Sequence, residues 1–119
     1  MKLPRGDRAV VEIAKLRDYC LNPQHARGRH KARVFASSLG LRAADSDVLR
    51  QALLDAATTY EAKQGERDDY GQRYVLDFPM KGPGGEATVR SNWIVLAGED
   101  FPRLTSCYVL REGRTYGEP

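Results

Sequence analysis

The chain is 119 residues long, enough for one domain with a modest core and too short for two. It carries 19 Lys and Arg against 16 Asp and Glu, a formal charge of +3. The excess is concentrated: between Asp18 and Asp45 lie Arg27, Arg29, Lys31, Arg33 and Arg42 and not one acid, and a local positive potential of that kind attracts phosphates whatever the overall charge.

Residues 1–8, with Pro4 and Gly6, read as a flexible lead-in and residues 112–119 as a flexible end, leaving residues 9–111 as a single domain. Glu12, Lys15, Arg17 and Asp18 interrupt any apolar run near the N-terminus. Neither a signal peptide nor a membrane span is expected, and the chain reads as cytoplasmic. Val10, Val11 and Ile13 suggest a short strand or extended entry, and Leu16, Tyr19 and Cys20 a turn of helix that stops before Asn22 and Pro23. The segment LNPQHARGRHKARVF, residues 21–35, follows and holds both histidines.

From Gly28 the spacing is helical. Ala32, Phe35, Ala36 and Leu39 fall at i, i+3, i+4 and i+7, and Gly40 ends the run as a C-cap. On that wheel Arg29 and Lys31 lie at opposite borders of the buried face, while His30 and Arg33 look outward; Lys31 can lay its stem along whatever the helix packs on. A second helix is expected over residues 45–63, capped by Asp45 or Ser46, with Leu49, Leu53, Ala56 and Tyr60 as its stripe. Residues 65–69 read as a charged loop.

Thereafter the period is two. Tyr74, Leu76 and Phe78 alternate with Val75 and Asp77, residues 81–85 form a turn, residues 87–96 read as a long strand, and residues 104–110 as another after a connection containing Gly98 and Pro102. The fold class that follows is α+β, with two helices packed on an antiparallel meander of three or more strands.

Thr88, Arg90 and Asn92 share one face of the long strand, either a solvated face or one wall of a site. If the basic helix lies against that face, Lys31 and His25 look across a groove at Thr88, Arg90 and Asn92. Such an inventory suits RNA cleavage by transphosphorylation: the ribose 2′-OH is the nucleophile, so the protein supplies only a base, donors for the charged phosphorane and an acid for the leaving oxygen. The candidate catalytic residues are His25, Lys31, Arg90 and Thr88. Arg27, Arg29, His30, Arg33 and Asn92 are the candidate RNA or phosphate ligands. The chain has no paired-carboxylate motif, no Cys or His metal set, no G-x-S-x-G and no P-loop, so neither a metal nor a cofactor is expected. Cys20 and Cys107 lack metal-ligand spacing and read as small buried hydrophobes, with a disulfide left open. The competing reading is a non-catalytic interaction protein that holds RNA or an acidic partner on its basic helix.

Three stretches carry a resemblance: KLRDYCLNPQHARGRHKARVF over residues 15–35, YGQRYVLDFPMKGPGG over residues 70–85, and ATVRSNWIVLAGEDFPRLTSCYVL over residues 87–110. In them the sequence resembles a family of small bacterial domains of unknown function, seen alone or as the C-terminal toxin module of contact-dependent and polymorphic toxins. The resemblance implies a barnase, colicin and RelE-like ribonuclease fold. It further implies an endoribonuclease toxin acting on tRNA or mRNA and neutralised by a cognate antitoxin or immunity protein. The family features placed here are the loop at Asn22, Pro23 and His25, the helix start at Gly28, Lys31 and Ala32, and the strand at Thr88, Arg90 and Trp93. Ala26 stands where the family has a proline.

Overall fold

The computed structural model describes residues 1–110. The flexible end expected at residues 112–119 lies outside the described residues.

A short helix, α1 (Ile13–Lys15), runs directly into a π turn over Leu16–Cys20. The wider turn, closed by the Leu21 N–H donating to the Leu16 carbonyl at 2.8 Å, puts Leu16, Cys20 and Leu21 into the core together. Val10 and Val11 do not build a strand of their own. Val10 forms a single parallel bridge to Arg103, and helix takes over at Ile13.

Helix α2 (Arg29–Leu39) follows the expected spacing. Ala32, Phe35 and Leu39 are buried, and Gly40 closes the helix in the left-handed region at φ 72°, where a side chain would be strained. Helix α3 (Ser46–Thr59) buries Leu49, Leu53, Ala56 and Ala57. It stops short of residue 63: Tyr60 is extended and exposed, and so leaves the expected stripe.

Four strands form one antiparallel sheet in the order β1 (Lys63–Asp68), β2 (Gly71–Gly82), β3 (Gly85–Leu96) and β4 (Arg103–Leu110). The fold is α+β, with the helices on one face of a meander. β1 replaces the charged loop expected at residues 65–69. All its residues are exposed, so main-chain pairing with β2 rather than side-chain burial holds it there. Its register reaches only from Gly71 to Val75, and among the described residues the β2 edge beyond Val75 has no partner strand. Pro79 sits on that uncovered stretch, where its missing N–H costs no ladder bond.

β2 and β3 meet in full register, Gly71 opposite Leu96 to Gly82 opposite Gly85. The turn at their tip docks on α2, the Gly84 N–H donating to the Leu39 carbonyl at 3.0 Å. In β4 a bulge leaves Thr105 unpaired between Leu104 opposite Trp93 and Ser106 opposite Asn92. It resets the alternation, so that Leu104 and Cys107, three apart, both face the helices and are buried.

The core lies between that face and the helices. β2 contributes Leu76, Phe78 and Met80, β3 contributes Val89 and Trp93, and β4 contributes Leu104, Cys107 and Val109. Ser91 is the polar member of the inward face: it accepts from the Trp93 indole N–H at 2.8 Å and donates to the Leu76 carbonyl at 2.7 Å. Residues 1–8 are not loose. Leu3 is buried in the core, a 3-10 turn over Gly6–Arg8 packs on α3, and the Met1 carbonyl accepts from the Ala62 N–H. Among the described residues no helix is long and apolar enough to cross a membrane.

Candidate functional site

The loop before α2 is organised by Asn22. Its side chain donates to the Asp18 carbonyl at 3.1 Å and accepts from the Gln24 N–H at 2.9 Å, an Asx turn that reverses the chain at Pro23. His25 then starts α2: its carbonyl accepts from the Arg29 N–H at 2.9 Å, and its ring Nδ1 accepts from the Arg27 and Gly28 N–H groups at 3.0 and 3.1 Å. With Nδ1 filled, the proton of the neutral ring sits on Nε2, and His25 offers the site a donor.

Tyr19, on the π turn, meets His25 edge-on with ring centroids 4.8 Å apart. Its hydroxyl accepts from the Lys31 ammonium at 2.9 Å. The same ammonium lies 4.9 Å from the Tyr19 ring centroid and 5.7 Å from that of Tyr108 on β4. Lys31 is thus half-buried between two phenol rings, its stem along the protein and its charge held by aromatic faces. A cavity of about 230 Å³ opens beside it, lined by His30, Lys31, Val34, Tyr108 and Val109.

Tyr108 faces Arg90 across the β3–β4 ladder and lies near enough to its guanidinium to favour the charged form. Arg90 is gripped by Asp77 at 2.8 and 2.9 Å. The Asp77 carboxylate, followed by Tyr108, raises the Arg90 pKa above its ordinary value against the opposing effect of partial burial. One line of contacts therefore runs from His25 through Tyr19, Lys31 and Tyr108 to Arg90 and Asp77, passing round the β4 edge from the helical side to the uncovered face.

That path corrects the groove expected from the sequence. The helices pack on the face of Val89, Ser91 and Trp93, so Thr88, Arg90 and Asn92 look away from them. Thr88 lines a separate cavity with Pro79, Met80, Lys81, Glu86 and Ala87 near the hairpin tip, and Asn92 donates to the Ser106 hydroxyl at 3.1 Å. Only Arg90 of the three is joined to Lys31, and only through Tyr108. Arg27, Arg29, His30 and Arg33 are exposed, and among the described residues none of them is paired with a carboxylate. Tyr19 and Tyr108 escaped the sequence reading. Tyr19 stands 12 positions before Lys31, and Tyr108 needs the β3–β4 register to be found.

Among the described residues no cluster of three or more His, Cys, Asp or Glu is placed to hold a metal ion. No curated protein matches the chain. Its fold is similar to a chain of a contact-dependent growth inhibition toxin and immunity protein complex from Klebsiella pneumoniae 342, with a TM-score of 0.64 and 17% sequence identity over 85% of this chain and 99% of that one. At that identity the likeness is one of fold. The family described as Domain of unknown function (DUF6883) matches residues 2–111, and the chain belongs to that family.

Proposed function

We propose that the protein is a ribonuclease toxin of barnase and RelE-like architecture that acts on tRNA or mRNA in the cytoplasm and is neutralised by an antitoxin or immunity protein. One observation carries this reading: an exposed basic surface that has no acidic partner among the described residues leads into a half-buried ammonium, Lys31, held between two tyrosines beside the His25 ring. Arg27, Arg29, His30 and Arg33 hold the RNA backbone. Lys31 then stabilises the phosphorane formed when the 2′-OH attacks its own phosphodiester, with the hydroxyl proton passing to water. His25, a donor through Nε2, hydrogen-bonds the leaving 5′-oxygen and stabilises its developing charge, and water supplies the proton. Arg90, its charge balanced by Asp77, lies on the far side of Tyr108 as a secondary phosphate contact, and Thr88 and Asn92 are left to the sheet. The likeness to a chain of a toxin and immunity protein complex supports a protein partner that covers the basic surface.

The filled Nδ1 of His25 and the Asp77 grip on Arg90 favour a second reading, a module that binds RNA or an acidic protein without cutting it. Incubation of purified protein with tRNA and mRNA in the presence of EDTA separates the two. The ribonuclease reading expects fragments with 2′,3′-cyclic phosphate ends. It also expects Lys31→Ala to slow cleavage by about 10²- to 10³-fold, the range for losing one oxyanion donor, while Arg33→Ala lowers affinity only modestly. Intact RNA in every condition, with binding retained, would establish the module instead.

A further inference from the structure

We infer that Cys20 and Cys107 are a built disulfide site whose closure fastens together the two walls of the Lys31 site. They are the chain's two cysteines, 87 positions apart, yet the fold brings both to full burial as free thiols in one core cluster. Two independent irregularities place them. The π turn swings Cys20 inward at the end of Leu16–Cys20, and the bulge at Thr105 turns Cys107 to the same side. The π turn packs on β4, and the two thiols lie close enough to influence each other's ionisation.

The neighbours in sequence give the pair its meaning. Cys20 follows Tyr19 and Cys107 precedes Tyr108, the two rings that bracket Lys31. A bond between the sulfurs would join the π turn that carries one wall to the strand that carries the other.

The chemistry balances with a small-molecule disulfide as oxidant. In the folded chain the Cys20 thiolate is the favoured one: the neighbouring Cys107 thiol outweighs the opposing effect of burial, and the positive charges of Lys31 and Lys15 pull in the same direction. The Cys20 thiolate attacks one sulfur of oxidised glutathione, forming a mixed disulfide and releasing a glutathione thiolate. That thiolate takes the Cys107 proton. The Cys107 sulfur attacks the Cys20 sulfur and expels the second glutathione, so two protein thiols are oxidised and one glutathione disulfide is reduced to two thiols. Because both cysteines are buried, the exchange takes place while the chain folds or opens locally.

The test refolds reduced, denatured protein in a buffer of reduced and oxidised glutathione. The expected product is a monomer lighter by two hydrogen atoms, with no thiol that titrates under denaturing conditions and a Tm raised by about 10 °C, as for a cross-link closing a long loop. Hydrogen exchange of residues 16–31 should slow, and dithiothreitol should reverse each change. Cys20→Ser and Cys107→Ser should each give at most one glutathione adduct and no gain in Tm on oxidation. Wild type that keeps two titratable thiols, carries glutathione on both, pairs between chains, or melts lower once cross-linked would overturn the inference. These readouts do not involve RNA, so they stand or fall apart from the ribonuclease reading.

Discussion

His25 shows how far a single residue can be read. Its place in an acid-free loop marks it as a group worth following, but the two N–H groups on Nδ1 decide what it can do, and they depend on a loop geometry no periodicity encodes. The ring has two separable duties, holding the start of α2 through Nδ1 and presenting a donor through Nε2. His25→Asn keeps an acceptor at the near position and discards the far donor; His25→Gln keeps a far donor and gives up the near acceptor. If the Nε2 donor serves cleavage, His25→Asn should keep the wild-type melting temperature and lose about 10²-fold or more in rate. His25→Gln should show the reverse balance, less stable but less impaired. A His25→Asn variant as active as wild type would leave His25 as a helix cap. The burial of Lys31 was legible from the wheel, since a border position can only half-bury a long stem. Ser91 was not, because a serine between Val89 and Trp93 says nothing of the indole N–H it must satisfy.

Among the elements, α2 and the β2–β3 hairpin were legible because each repeats one simple rule. Ala32, Phe35 and Leu39 with Gly40 spell a helix and its stop, and the turn residues before Gly85 separate two alternating runs. β1 was hidden because its sequence, KQGERD, has no buried face to alternate with. The π turn and the Thr105 bulge were hidden because each is one residue out of step with a regular element, and what they gain, the meeting of Cys20 with Cys107, is visible only in three dimensions. The joint between α2 and the π turn is tight. Gly28 lies against Tyr19 so closely that an added Cβ would overlap the Tyr19 carbonyl. Gly28→Ala should therefore cost about 1–3 kcal/mol in urea unfolding, and should displace Tyr19 from Lys31, visible as a change in tyrosine fluorescence. An unchanged midpoint would mean that the joint yields at no cost.

At the scale of the molecule, the sheet sends its two faces in different directions. One is sealed by helices. The other stays open, with Arg90, Asp77, Asn92 and Tyr108 facing outward, and a sequence can report that alternation without saying which face the helices choose. Charge is likewise distributed by surface: the exposed bases of the α2 region have no acidic partner among the described residues, whereas Arg5 and Arg8 lie near Asp100, and Arg103 is paired with Glu99. RNA affinity should therefore fall with salt by roughly 0.7 log units per phosphate contact for each log unit of salt. Filter binding from low to high salt measures that slope, and Arg27→Ala or Arg29→Ala should each flatten it by about one contact. A slope near zero would exclude phosphate contacts as the basis of binding.

Finally, the stretch of β2 beyond Val75 gives the molecule a boundary of another kind. An edge of unpaired main chain is an invitation to the next copy of the chain, and in a concentrated solution such edges are where fibrils start. Pro79 occupies this one. A strand arriving from a neighbouring molecule would meet a pyrrolidine ring where it needs an N–H, and the zipper would stop after a residue or two. A proline on an open edge thus serves the population of molecules, keeping each sheet from growing into the next.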